Sequence, residues 1–317
     1  MRAASREHAA RENHPRSTDD GHMSSRVQTI LLTAVAVIAF AGNSILCRAA
    51  LLSDGGTSAI DPVSFTVIRI VAGVVVLWPL VLLGRKAQEE RRANPREAVL
   101  PALSLLGYAF AFSLSYQTIP TGAGALLLFG CVQLTMLAFA RISGEVIGLV
   151  RGTGAIIAFA GLCVLLAPSS SSLGEIDLEG AAFMAFAGIC WGAYTLLGKR
   201  AELPVPATAW NFTLAVPVAL LVFPLAERSM TTTGVLLAIA SGALCSGVGY
   251  AIWYRALRGH TAVSASISQL TVPIVAAFVG AMLLSEELTL TFAVASVLVL
   301  AGVAIGLKSP SRATSDE

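Results

Sequence analysis

The sequence predicts an all-α polytopic membrane protein whose ten transmembrane helices form two five-helix repeats of inverted topology. Three observations support this fold class: the apolar composition, the length of the apolar blocks, and a residue pattern that occurs twice. Hydrophobic residues make up 56% of the 317-residue chain and charged residues 13%, whereas soluble domains carry about 25% charged residues. The apolar residues come in blocks of about 20, the length of a bilayer-spanning helix, which argues against a soluble helical protein.

Ten apolar blocks follow one another along the chain, and most connections between them are short. The polar residues 1–25 lack the apolar core of a signal peptide and are predicted to be a disordered cytoplasmic tail, in which Gly21-His22-Met23 resembles the remnant of an expression tag. Residues 308–317 are predicted to form a second cytoplasmic tail. The predicted spans are Val27–Leu52, Pro62–Gly84, Ala98–Thr118, Thr121–Ala140, Val146–Pro168, Leu178–Lys199, Ala207–Ala226, Gly234–Ala256, Ala262–Ser285 and Leu288–Leu307.

The basic residues outside the spans determine the predicted orientation. With the N-terminus in the cytoplasm, the inner segments include the charged loop RKAQEERRANPRE at residues 85–97, whereas the outer segments contain Arg228 as their single basic residue. Because Lys and Arg accumulate on the cytoplasmic side of membrane proteins, both termini are predicted to be cytoplasmic. An error of one helix would scramble this pattern, so the helix count and the orientation support each other.

A polar triplet inside an apolar block occurs at corresponding positions of the two halves. The sequence Gln-Leu-Thr lies at residues 133–135 in the fourth span and again at 269–271 in the ninth. A glutamate follows each of these spans, Glu145 in the first half and Glu287 in the second. The chain therefore contains two copies of a five-helix unit.

The two predicted units cover residues 27–168 and 178–307, and the polar segment PSSSSLGEID at 168–177 separates them. Because five is an odd number, the second unit must enter the membrane from the opposite side. Inverted repeats of this kind are common in carriers that open alternately to each side of the membrane. A channel, or a duplication retained for folding alone, is the alternative.

Three stretches resemble a known family. They are AGNS in the first span, DPVSFTVIR at the start of the second, and QLTVPIVAAFVGAMLLSEELT at the ninth. Together they are similar to the EamA type of the drug/metabolite transporter superfamily, over about residues 27–307. The resemblance implies ten helices and export of small metabolites, commonly amino acids, across the bacterial inner (plasma) membrane. Within this family, the resemblance favours the YddG-type exporters of amino acids, including aromatic ones. The chain departs from strict symmetry, since Met136-Leu137 stands where the second half has Val272-Pro273.

Side-chain amides inside the spans are the first candidates for substrate contact. Asn43, Gln133 and Gln269 lie near the middle of their spans. A polar side chain is costly in hydrocarbon unless it meets a partner or water, and an amide can both donate to a carboxylate and accept from an ammonium. The alternative is a hydrogen bond between helices, which contributes about 0.6 kcal/mol on average in membranes.

Aromatic pairs on two spans are the second set of candidates. Trp191 and Tyr194 are three residues apart in the sixth span, as are Tyr250 and Trp253 in the eighth, so each pair shares a helix face. Facing a cavity, such rings could hold an apolar side chain and attract an ammonium by cation–π interaction. The alternative is an aromatic belt at the membrane interface, which Trp253 fits well. Tyr108 is a weaker candidate.

The ninth span combines small hydroxyl residues with a proline. Ser268 and Thr271 could line a polar path, and Pro273, predicted to lie within the helix, frees a backbone carbonyl and could act as a hinge. Ordinary close packing explains Ser268 equally well.

Charged residues near or within the spans have several possible roles. Arg69 lies about 12 Å along the second span, at 1.5 Å per residue. It could bind a substrate carboxylate or tie helices together. Arg48 lies near a span end, where its side chain could reach the interface. Glu145 and Glu287 are predicted to cap the helices that follow them.

Several function classes lack their characteristic residues. The spans contain no central Asp, Glu or His, which predicts facilitated export rather than coupling through a buried carboxylate. The sequence has no phosphate-binding loop, nucleophile elbow or His-Glu-x-x-His motif, so we expect no enzymatic activity, cofactor or metal. The basic residues flank the spans, which argues against nucleic-acid binding. We expect a monomer in the lipid bilayer with a small-molecule substrate. The alternatives are an exporter of drugs or toxic organic cations and, outside transport, a sensor or scaffold.

Overall fold

The structure is a computed structural model that describes residues 25–52, 58–84, 95–144, 148–167, 176–198, 201, 203–227, 229–257, 259 and 268–307. The predicted tails, apart from Ser25, lie outside the described residues, and so does Glu145. Within those ranges the chain consists of helices joined by turns.

The helices match the ten predicted spans. Eight helical segments of the described chain are long and apolar enough to cross a membrane, and two shorter apolar helices follow them. The chain is therefore a polytopic membrane protein with ten helical spans, of which the eighth is made of three segments. The helices are α1 Ser25–Leu51, α2 Pro62–Leu83, α3 Val99–Ser115, α4 Thr121–Ile142, α5 Leu149–Leu166, α6 Leu178–Gly198, α7 Pro204–Val222, α8 Thr232–Ala240, the π-helix π1 Ser241–Val248, α9 Gly249–Leu257, α10 Val272–Leu284 and α11 Leu290–Leu307.

The ninth span differs from its prediction. Helix α10 begins at Val272, so Pro273 lies in its first turn and not in the middle of a helix. Proline is well tolerated there, because the first amide groups of a helix have no partner within it. Residues 261–267, at the start of this predicted span, lie outside the described residues. The expectation of a proline kink within a continuous helix is therefore corrected.

A π-helical segment in the eighth span was not predicted. The segment π1 has the sequence SGALCSGV, whose small residues allow close backbone contact. A Cβ atom on Gly242 would meet the carbonyl oxygen of Arg69 and lie 2.8 Å from its Cα atom. Helix α2 therefore packs directly on the backbone of π1. Segments of this type occur frequently at functional sites.

Close helix packing also involves the last helix of each predicted repeat. Helix α11 packs along α5, and a Cβ atom on Gly302 would lie 2.6 Å from the carbonyl oxygen of Gly154. Helices α3 and α4 both pack on α6, and α2 packs on α7. Small residues permit such approach in membranes, where van der Waals contact drives helix association.

Span ends that are predicted to share the outer side of the membrane lie together in the structure. Ile60 pairs with Met230 in an isolated β-bridge, and the Thr118 hydroxyl donates a 2.8 Å hydrogen bond to Asp177. We call this end of the helix bundle the outer end and the opposite one the inner end. Their assignment to the two sides of the membrane stays a prediction from charge.

Asp177 at the outer end gives a pH-dependent prediction. The Gly180 amide and the Thr118 hydroxyl each donate to its carboxylate at 2.8 Å, and these bonds lower the pKa of Asp177 below its ordinary value. A carboxylate with a lowered pKa stabilises the folded state above its unfolded pKa, about 3.9, and this contribution is lost as the pH falls through the folded pKa. The Asp177→Asn variant should melt below the wild type at pH 7, and the gap should shrink below about pH 4. Melting curves of both proteins in detergent, recorded from pH 7 to below about pH 4, test this prediction. A gap that does not change with pH would contradict it.

Candidate substrate site

A buried chain of hydrogen bonds joins α1, α3 and π1. The Asn43 amide nitrogen donates to the Tyr108 hydroxyl at 3.1 Å, and its carbonyl oxygen accepts from the Ser241 hydroxyl at 2.6 Å. All three residues are buried. The amide thus uses its donor and its acceptor at once, and it connects a helix of the first predicted repeat with a helix of the second.

Arg69 on α2 extends this chain. Its Nη2 donates to the Tyr108 hydroxyl at 3.1 Å and its Nε to the Ser246 hydroxyl at 3.2 Å. The guanidinium carbon lies 5.2 Å from the ring centre of Tyr108 and 5.1 Å from that of Phe112. The side chain is 2% exposed. We call Asn43, Arg69, Tyr108, Ser241 and Ser246 the polar cluster.

Aromatic rings cover the polar cluster. Trp191 is half-buried, and its ring centre lies 4.8 Å from that of Tyr108, 5.3 Å from that of Tyr194 and 5.1 Å from that of Tyr250. Phe40 on α1 contacts the same group through Trp191, Tyr250 and Trp253. We call the six rings the aromatic cluster: Phe40, Tyr108, Trp191, Tyr194, Tyr250 and Trp253.

Five of the predicted residues lie in these two clusters: Asn43, Arg69, Trp191, Tyr194 and Tyr250. Trp253 is 6% exposed and packs on Phe40, so its assignment to an interfacial belt was wrong. Because Tyr250 and Trp253 share a helix face, the two rings enter the cluster together.

The other predicted residues do not help build the clusters. Gln133 is half-buried on α4, in the half of the helix nearer the inner end. Ser268 and Gln269 are half-buried in a short helical stretch before α10, and the Thr271 hydroxyl is exposed and donates to the Ser268 carbonyl at 2.7 Å. Their role in transport stays a prediction, as does a hinge at Pro273.

Sequence reasoning missed the residues that connect the site. Tyr108 was ranked as a weak candidate, although its hydroxyl accepts from both Asn43 and Arg69. Ser241 and Ser246 were overlooked because serine is common among packed membrane helices. A usable signal was present: two serines lie in a glycine-rich stretch, SGALCSGVG, which is a poor α-helix former.

A second polar group lies at the outer end. Arg48 forms an ion pair with Glu286 at 3.3 Å, and both side chains are about nine-tenths buried. Its Nη1 also donates to the carbonyl oxygens of Tyr116 and Gln117, at 2.9 and 2.8 Å. Arg48 therefore points into protein, and the prediction that it reaches the interface was wrong.

Glu286 caps the N-terminal end of α4. Its carboxylate accepts from the Thr121 amide at 2.8 and 3.0 Å and from the Thr121 hydroxyl at 3.0 Å. Glu287, which was predicted to cap the following helix, is exposed. A cavity of about 330 Å³ at this end is lined by Gly122, Glu286 and Phe292 among others. None of its lining residues belongs to the polar or aromatic cluster.

Among the described residues, no group of three or more His, Cys, Asp or Glu side chains is placed to bind a metal ion. The cysteines are free, and Cys47 and Cys245 are buried. They occupy space between helices as small apolar residues.

Comparison with known proteins assigns the chain to a family. The model of the EamA-like transporter family matches residues 178–307. The uncharacterized protein PA1977 of Pseudomonas aeruginosa is 42% identical over 280 residues, which is 88% of this chain and 94% of that protein. The chain belongs to the EamA-like transporter family. This EamA protein is therefore a transporter of small molecules in a bacterial membrane and not an enzyme.

More distant relatives agree with this assignment. The threonine/homoserine exporter RhtA of Salmonella typhimurium is 33% identical to the EamA protein over 142 residues, 43% of each chain. The uncharacterized transporter YoaV of Bacillus subtilis is 22% identical over 81% of this chain and 91% of its own. A protein of known crystal structure superimposes with a TM-score of 0.63 at 20% identity, over 89% of this chain and 96% of that one. This last similarity concerns the fold alone.

Proposed function

We propose that this EamA transporter exports amino acids, including apolar and aromatic ones, or similar small metabolites, and that the polar and aromatic clusters form its substrate site. Transport occurs by alternating access, in which two oppositely oriented halves open the site to one side of the membrane at a time. The protein works as a monomer in the bacterial inner membrane with both termini in the cytoplasm.

The observation that carries this proposal is the hydrogen bond from Ser241 to Asn43, 2.6 Å long and buried. It joins the two predicted repeats at a polar position within apolar helices. Transporters built from inverted repeats bind their substrates near the bilayer midplane at the repeat interface. The similarity of part of the chain to a threonine/homoserine exporter supports an amino acid as the substrate.

Export of organic cations is the weaker candidate. The polar cluster contains the Arg69 guanidinium and no carboxylate, so its charge repels a cation. A sensor or scaffold is also disfavoured, because the named relatives are transporters.

Purified protein in liposomes should exchange radiolabelled phenylalanine, leucine or threonine faster than empty liposomes do. The Asn43→Ala variant should lose about tenfold in rate, because it removes the two hydrogen bonds, to Tyr108 and from Ser241, that hold the site together. Gln117→Ala removes an exposed amide at the outer end, outside the clusters, and should retain most of the rate. The measurement is tracer counterflow, made with and without a pH gradient.

Two results would contradict the proposal. Exchange of organic amines but of no amino acid would favour the cation exporter. Exchange that occurs solely when a pH gradient is imposed would exclude facilitated export.

A further inference from the structure

The Arg69 side chain has hydrogen-bond donors that the fold does not use. A guanidinium carries five N–H groups and no acceptor. Its Nε and Nη2 donate to Ser246 and Tyr108, whereas Nη1 is buried without a hydrogen-bond partner among the described residues. Such a group normally finds a partner, because an unsatisfied buried donor is destabilising.

Among the described residues, the positive charge of Arg69 also lacks a counter-charge. In the described part of the chain the ion pair between Arg48 and Glu286 lies at the outer end, and no carboxylate belongs to the polar cluster. The rings of Tyr108 and Phe112 lie within cation–π distance. Ring faces attract a cation, but they supply no acceptor for the Nη1 hydrogens.

The Tyr250 hydroxyl is the second unused group. It is buried and has no hydrogen-bond partner among the described residues. The Tyr250 ring lies 5.1 Å from that of Trp191, which lies 4.8 Å from the Tyr108 ring that Arg69 contacts. Nearby acceptors are already engaged, since the Ser246 hydroxyl accepts from Arg69 and the Asn43 carbonyl accepts from Ser241. The site therefore has a surplus of donors and one net positive charge.

We infer that Arg69 Nη1 and the Tyr250 hydroxyl form a subsite for the carboxylate of the transported molecule. A carboxylate brings one negative charge and two acceptor oxygens, which is what this pair of donors lacks. Trp191, whose ring lies 5.1 Å from that of Tyr250, flanks the subsite and contacts an apolar or aromatic substituent. This inference rests on the proposed function and narrows it, because it makes the carboxylate the required group and the ammonium a secondary one.

The Tyr250→Phe variant separates binding from folding. It removes a hydroxyl that makes no hydrogen bond in the fold and keeps the ring in place, so its melting temperature without ligand should equal that of the wild type. Its affinity for a carboxylate should fall about tenfold, as expected for a hydrogen bond to a charged group. The matched control is Tyr116→Phe, which lies outside both clusters. Its hydroxyl donates to the Thr121 carbonyl oxygen at 3.3 Å, and its removal should leave carboxylate affinity unchanged.

The experiment measures the shift in melting temperature of the full chain in detergent with three probes. Phenylalanine carries both charged groups, 3-phenylpropionate has the carboxylate alone, and phenylalaninamide lacks it. A ligand that binds the folded state raises its melting temperature. The two carboxylates should stabilise the wild type and the Tyr116→Phe variant, and they should do so less in the Tyr250→Phe and Arg69→Gln variants. Phenylalaninamide should stabilise none of them.

The outcomes distinguish this inference from the proposed function. If phenylalanine and phenylalaninamide stabilise the wild type equally, or if Tyr250→Phe binds carboxylates like the wild type, the carboxylate subsite is wrong even where amino-acid exchange is observed. If 3-phenylpropionate stabilises the wild type and not Tyr250→Phe while liposomes exchange no amino acid, the subsite stands and the amino-acid function is wrong.

Discussion

Replacing Glu286 with glutamine should lower the free energy of unfolding by about 3–5 kcal/mol, the range expected when one partner of a buried ion pair is removed. Glu286 neutralises Arg48 at 3.3 Å, and both side chains are about nine-tenths buried. It also caps the start of α4 through Thr121. Glutamine leaves the Arg48 charge without its counter-ion, so the free energy of unfolding should fall by more than the loss of one hydrogen bond would cause. Unfolding by SDS in mixed micelles measures the difference.

The neighbouring Glu287 is the matched control for this prediction. It has the same side chain in the same connection but is exposed, so Glu287→Gln should change stability by less than about 0.5 kcal/mol. Equal effects of the Glu286 and Glu287 substitutions would show that the ion pair does not hold the outer end together.

Replacing Gly242 with alanine should both destabilise the protein and reduce transport. The new Cβ atom would meet the Arg69 carbonyl oxygen and lie 2.8 Å from the Arg69 Cα atom. Both neighbours are backbone, which cannot rotate away, so α2 must shift from π1. Overpacking of this kind costs about 1–3 kcal/mol. Because Arg69 moves with its helix, we expect transport to fall by about tenfold or more, since 1.4 kcal/mol is a factor of ten in affinity.

Gly247 provides the control for the alanine substitution in the same π-helical segment. A Cβ atom there would lie 3.4 Å from its nearest neighbours, the Gly242 carbonyl oxygen and the Val76 side chain. Gly247→Ala should therefore retain most of the stability and of the tracer exchange. If Gly242→Ala binds and transports like the Gly247→Ala variant, the contact between π1 and α2 does not position Arg69.

The overall fold could be predicted because a bilayer imposes simple rules on a sequence. Every backbone polar group in hydrocarbon must be satisfied within the protein, so blocks of about 20 apolar residues form helices. The ten blocks were identified on this basis, and each of them overlaps a helical span of the structure. The boundaries differ where local chemistry intervenes, as at Pro273, which lies in the first turn of α10.

The candidate site could be predicted in part, because polar and aromatic residues inside apolar blocks are rare. Asn43, Arg69, Trp191 and Tyr250 were identified by their type and depth alone. Gln133 and Gln269 have the same character, and yet the clusters are built without them. Depth along a helix follows from the sequence, but the direction in which a side chain faces depends on how the helices rotate against one another.

The sequence by itself determined that this protein is a ten-helix membrane transporter with a few polar groups at mid-depth. The tertiary structure alone decided which of those groups meet. Tyr108 became the centre of the polar cluster because α1, α2 and α3 bring two donors to one hydroxyl. Arg48 and Glu286 became a buried ion pair although 238 positions separate them along the chain. The physical reason is that hydrophobicity acts on each residue separately, whereas hydrogen bonds and ion pairs require two groups within about 3 Å.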